Sequence, residues 1–263
     1  MSEPIEQTTA GVFTSRGTIR WWNPLLALVV TCFGWLIFLL GTALLVGLSL
    51  RALGYRRQNL PNLAAASTSF FAVQGYAATF YLVGLLVMRF LSKRRGYELF
   101  ACYFPSLGLR PVLLAGLIGF GTAGVYLIVI LVLAWTSVLH FHPTIATAAV
   151  LHQRLGRFAI SGLVYIIIAP IAEEIYFRGL LLDSLRQRFF PLLSVLITAA
   201  VFSLVHVQFL LHPGIVGWLA TAALVIMGIF NALWAQRTHS LRGPVAAHAS
   251  YNAILILFIF FVQ

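Results

Sequence analysis

The stretch Ile168-Ala169-Pro170-Ile171-Ala172-Glu173-Glu174-Ile175-Tyr176-Phe177-Arg178-Gly179 sets two adjacent carboxylates and an arginine inside an apolar run. The 263-residue chain has only six Asp and Glu in all. A charge at the centre of a bilayer costs roughly +2.5 to +3.5 kcal/mol on insertion scales, so two neighbouring carboxylates there imply a use. On a helix, adjacent residues point about 100° apart, whereas positions i and i+4 share a face. Glu174 is therefore expected to pair with Arg178. Glu173 has no such partner along its own helix and is expected to face a cavity.

The rest of the chain supports a membrane setting. Hydrophobic residues make up 61% of it and charged residues 9%, against about 25% charged in an average soluble domain. A helix needs about 20 apolar residues to span the hydrocarbon core. Segments 25–50, 70–91, 112–139, 158–182, 192–211, 215–234 and 245–262 satisfy this. Their apolar runs are continuous rather than alternating, which favours helices over a barrel. The expected fold is all-α, a polytopic transmembrane helix bundle of about seven spans. Three regions are expected: a cytoplasmic tail at 1–20, N-terminal transmembrane helices at 21–140, and a core carrying the chemistry at 141–263.

The net charge is +11 and comes almost wholly from arginine, with Lys93 the only lysine. Basic residues between apolar spans reflect the positive-inside bias rather than nucleic-acid binding. Assigned alternately, one side holds Arg16, Arg20, Lys93, Arg94, Arg95, Arg110, Arg186, Arg188, Arg237 and Arg242, and the other Arg51, Arg56, Arg57, Arg154 and Arg157. This places the N-terminus in the cytoplasm. The plasma membrane of a bacterium is the expected location, and the bilayer the first partner. Lys93-Arg94-Arg95 reads as a topology anchor near anionic headgroups, and Trp21-Trp22 as part of an interfacial belt. The first apolar run is too long for a cleaved signal peptide. Residues 140–157 mix apolar and basic residues at helical spacing, as a helix lying in the interface would. Cys32 and Cys102 form no paired spacing, so neither a disulfide framework nor a cysteine zinc site is expected.

Two further spans contain polar groups. Phe202-Ser-Leu-Val-His206 puts one imidazole in the interior of the fifth, and His248-Ala-Ser-Tyr-Asn252 puts a histidine and an amide on one face of the seventh. Taken singly, His206 reads as a packing residue and His248 with Asn252 as interhelical glue. Taken together, three helices each offer one polar face, and such groups face inward and find one another. A site between spans four, five and seven is expected. His140, His142, His152, His212 and His239 lie in loops or near span ends and are not expected to take part.

Glu173-Glu174-x-x-x-Arg178, Phe202-x-x-x-His206 and His248-x-x-x-Asn252, in this order and in separate spans, resemble the three motifs of the CPBP (Abi) family. These are CAAX-processing and bacteriocin-processing intramembrane endopeptidases, often labelled metalloproteases. The resemblance covers roughly residues 155–260. It implies hydrolysis of a peptide bond in a membrane-associated or lipidated peptide or membrane-protein substrate. Glu173 would then be the general base and His206 would bind the same water, with His248 and Asn252 stabilising the oxyanion. Glu174, Arg178 and Phe202 would support them. The residues leave two versions open: Glu173 acting on water without metal, or Glu173, His206 and His248 holding Zn²⁺. Two other readings compete, a catalytically silent peptide-binding or immunity protein on the same fold and a proton- or cation-coupled transporter.

The apolar boundaries set one obstacle. At about 1.5 Å per residue, Glu173, His206 and His248 lie about 14, 21 and 5 Å from the cytoplasmic ends of their spans. Convergence requires helices that extend past those boundaries, or a break at Pro170.

Overall fold

A computed structural model describes residues 63–94, 99–136, 148–206 and 214–262, with scattered helical positions between 33 and 48. The expected tail at 1–20, Trp21-Trp22, most of the first expected span, Cys32, His140, His142 and His212 lie outside the described residues. So do the side chains of Lys93-Arg94-Arg95 and His152.

Apart from the scattered positions between 33 and 48, the described residues form seven helices. They are α1 (Leu63–Arg94), short α2 (Leu99–Tyr103), α3 (Leu109–Trp135), α4 (residues 148–186), α5 (Pro191–Val205), α6 (Ile215–Thr238) and α7 (Arg242–Phe261). All but α2 and α5 are long and apolar enough to cross a membrane. The all-α polytopic bundle expected from the sequence is the observed one, with most helices longer than their apolar cores.

Two expectations about individual spans are corrected. The helix of the fifth apolar segment stops at Val205, where His206 leaves helical geometry at φ −91°, ψ 40°; residues 207–211 lie outside the described residues. His206 is therefore a helix-terminal residue rather than an interior one. Its Nδ1 lies 2.7 Å from the Phe202 carbonyl, within the last turn. The fourth segment, in turn, does not break at Pro170. Ile168 and Ala169 keep right-handed helical dihedrals, and the chain passes through a π-helical turn at Leu163–Ile168 just before the proline. Proline lacks an N–H and crowds the carbonyl four residues back. A wider turn relieves that crowding without ending the helix. A second π turn, Ile175–Leu181, follows the two glutamates.

Packing is inverted relative to a soluble protein. Trp135, Leu109 and Trp218 are 87%, 71% and 69% exposed, while Glu174, Arg178 and Asp183 are fully buried. Helices approach through small residues, as expected where lipid supplies no hydrophobic drive between them. On α3, Ala115, Gly119 and Ala123 recur every four residues and are all buried. A Cβ on Gly119 would overlap the backbone of Ala247 on α7. Similarly, Gly228 on α6 would meet Ala199 on α5 at 3.0 Å.

The turn between α6 and α7 is buried and anchored to the end of α2. Ser240 and Leu241 are buried, the Leu241 N–H donates to the Tyr103 carbonyl at 2.8 Å, and Arg242 Nε donates to the Phe104 carbonyl at 3.3 Å. α7 thus begins at Arg242, ahead of the apolar boundary expected at residue 245, with its first turn tied to the end of α2. At the opposite end of α7, Arg154 donates to the carbonyls of Ile259, Phe260 and Val262 at 3.3–3.4 Å. These carbonyls have no partner within the helix, so this arginine serves as a helix C-cap.

Candidate active site

The π turn of α4 delivers Glu173 and Glu174 to the bundle centre on different faces. Glu174 is fully buried. Its Oε1 accepts from Arg178 Nη1 at 2.9 Å and from Asn231 Nδ2 of α6 at 3.0 Å, and it lies 3.0 Å from His248 Nδ1 of α7. Arg178 also donates to the Gly228 carbonyl at 3.3 Å and stands 4.5 Å above the ring of Phe202. The charge pair expected from the i, i+4 spacing is present, and it forms the hub of four helices rather than an isolated bridge. Phe202 also packs edge-on to Phe177 and His248, so it walls the centre without a polar contact of its own side chain.

Glu173 is 4% exposed and faces the other way. Its Oε1 accepts from the Tyr81 hydroxyl of α1 at 2.5 Å. Its Oε2 is buried with no hydrogen-bond partner among the described residues. That oxygen stands 3.9 Å from His206 Nε2 and 3.8 Å from His248 Nε2. A carbonyl can only accept, so the His206 bond to Phe202 requires a proton on Nδ1. With the Glu174 carboxylate accepting, His248 also donates from Nδ1.

Glu173, His206, His248 and Asn252 line one cavity of about 320 Å³. Tyr81, Tyr126, Tyr165 and Tyr251 line it as well, with Leu224, Leu255 and Ile256 among its apolar walls. Asn252 donates one N–H to the Tyr165 carbonyl at 2.7 Å, and its amide has a second. The structure thus brings together the four residues expected to do chemistry, and sets Glu174, Arg178 and Phe202 directly behind them. Of the histidines expected to stay out, His239 ends α6 in a left-handed conformation and is not among the residues lining the cavity.

Two members of the site were not anticipated. Asn231 is the one asparagine of the apolar helix α6 and is fully buried, and an intramembrane amide is itself a signal of an interhelical partner. Tyr81 carried no such signal, because a tyrosine in a span is commonplace. Glu173, His206 and His248 stand wider apart here than the ligands of an ideal tetrahedral zinc site. Ligands at about 2.0–2.1 Å from a tetrahedral ion stand roughly 3.4 Å apart, less than the 3.8 and 3.9 Å here. No group of three or more His, Cys, Asp or Glu among the described residues is arranged to hold a metal ion.

Fold and centre together define an integral membrane helical bundle with a buried carboxylate–histidine cluster opening on an apolar cavity. Residues 155–254 match the family model described as type II CAAX prenyl endopeptidase, Rce1-like. The match spans all three motifs and bears out the resemblance seen in the sequence, which is to a family of CAAX-type proteases. No curated protein and no solved structure matches the chain.

Proposed function

We propose that this protein is an intramembrane endopeptidase that hydrolyses a peptide bond of a membrane-associated substrate, using water activated by Glu173 without a metal. The observation that carries this reading is Glu173 Oε2, buried, without a hydrogen-bond partner among the described residues, and facing two imidazole nitrogens across 3.8–3.9 Å at the wall of a cavity. One water bridges such a separation. Its oxygen adds to the scissile carbonyl carbon as Oε2 takes one of its protons, and His206 Nε2 accepts a hydrogen bond from the other O–H. The proton then passes from Glu173 to the amine nitrogen as the C–N bond breaks, yielding an amine and a carboxylic acid, whose remaining proton is released to water. A positioned general base of this kind contributes about 10²–10⁴ in rate.

The oxyanion is assigned to Asn252 and His248. Asn252 has an N–H to spare. His248 requires a hydrogen count: a water has two hydrogens and meets three acceptors if both imidazoles are neutral. One imidazole therefore carries both protons in this reading. His248, bonded through Nδ1 to the Glu174 carboxylate, is the one assigned, and its Nε2–H points at the cavity. The apolar and tyrosine lining suits an extended, largely apolar peptide, lipidated or not. The positive-inside count, ten basic residues against five, supports a cytoplasmic N-terminus in a bacterial plasma membrane. Arg154 caps α7, so it is a weak vote for the opposite orientation.

The test is incubation of a membrane-peptide library with purified protein in detergent, beside Glu173→Gln and His206→Ala. Defined cleavage products from wild type and their loss in both variants are expected. Equal cleavage by both variants contradicts the proposal.

A further inference from the structure

Helix α1 lies outside the segment that matches the peptidase family, yet it touches the centre at one point. Tyr81, 5% exposed, donates its hydroxyl to Glu173 Oε1 at 2.5 Å. That is the short range of an O–H···O⁻ bond, about twice as strong as a neutral one. The same helix makes a second polar contact: Gln74 Nε2 donates to the Tyr165 hydroxyl of α4 at 3.4 Å. Both helices run in the same direction here, so the two contacts form two rungs. On α1 the rungs are seven residues apart, two regular turns. On α4 they are eight apart, and Tyr165 itself belongs to the π turn Leu163–Ile168 that opens this interval. A π turn adds one residue to a helix without lengthening its contacts. The extra residue brings Glu173 into register with Tyr81.

We propose that Tyr81 is a positioning residue for the hydrolysis assigned above to Glu173, on which this inference rests. Holding Oε1 fixes the rotation of the carboxylate, and this aims Oε2 at His206 and His248. The charge is held in place before substrate arrives, the condition under which fixed donors contribute most. Without the phenol, the carboxylate is free to turn within its pocket, and Oε2 loses its fixed relation to the imidazoles. Tyr81 lends an orientation and takes no part in bond making. Second-sphere partners of this kind typically change activity about 10–100-fold when removed, as measured at metal sites.

The test uses the full chain in detergent, wild type against Tyr81→Phe, Glu173→Gln and the double variant. Two readouts are taken. Infrared difference spectra follow the Glu173 carboxylate stretch, identified by its loss in Glu173→Gln. Peptide cleavage gives kcat and KM. Tyr81→Phe is expected to shift the carboxylate band and lower kcat about 10–100-fold, with KM within about twofold, and to cost nothing further in the Glu173→Gln background. An unshifted band, an unchanged kcat, or an equal further loss in the double variant overturns the proposal. A wild type that cleaves no peptide overturns instead the peptidase reading beneath it, while the band still reports whether Tyr81 holds Glu173.

Discussion

His248 Nδ1 lies 3.0 Å from Glu174 Oε1, and the other nitrogen of the same ring lies 3.8 Å from Glu173 Oε2. One imidazole therefore joins two neighbouring carboxylates with unequal surroundings. Glu174 is surrounded by donors from α4, α6 and α7, whereas Glu173 keeps one oxygen toward the cavity. The division of labour inferred from helical offset alone takes physical form in this ring.

Glu174→Ala is expected to be mainly a stability variant. It leaves the fully buried Arg178 guanidinium without its carboxylate, and breaking a buried pair from one side costs about 3–5 kcal/mol. Thermal unfolding in detergent should show a large fall in the midpoint, with Glu173→Gln unfolding close to wild type. Equal midpoints for Glu174→Ala and wild type would contradict the hub assignment.

Gly119→Val should weaken fold and activity together, although Gly119 is not among the cavity-lining residues. The added side chain meets the backbone of Ala247, next to His248, and must push α7 away from α3. Even a misplacement of about 1 Å can cost 10²-fold in rate. Gly121, where a Cβ has open space around it, is the control: Gly121→Val should leave turnover within about twofold of wild type. Similar kinetics for the two glycine variants would contradict close α3–α7 packing as a requirement of the site.

Much of this was legible in the sequence because charge is so costly in lipid that each buried polar residue declares itself. The i, i+4 offset separated Glu174 from Glu173, and the order of three motifs located His206, His248 and Asn252. What could not be read was anything set by the third dimension. The start of α7, six residues before His248, depends on a buried turn held by Tyr103 and Phe104. The register of Glu173 against Tyr81 depends on a π turn, which apolar periodicity does not reveal. The end of α5 at His206 was hidden because the residues after it, Val207 to Leu211, remain mostly apolar.

Asn252→Ala is expected to act on turnover rather than on binding. Removing one donor to an oxyanion typically lowers kcat about 10²–10³-fold. Steady-state kinetics should give that fall with KM nearly unchanged. A raised KM at constant kcat would instead assign Asn252 to substrate binding.

Chelation provides a test of the chemistry that needs no variant. If Glu173 acts on water directly, purified protein treated with a strong chelator should keep its rate, and added zinc should not raise it. Loss of cleavage on chelation, restored by stoichiometric zinc, would contradict the donor-spacing argument from Glu173, His206 and His248.

The central claim concerns a single oxygen, Glu173 Oε2. Its most direct test is the turnover of one defined membrane peptide by wild type and by Glu173→Gln, both verified as folded by thermal unfolding. The account predicts a fall in kcat of about 10²–10⁴-fold with peptide binding retained. A Glu173→Gln protein that cleaves as fast as wild type would contradict it.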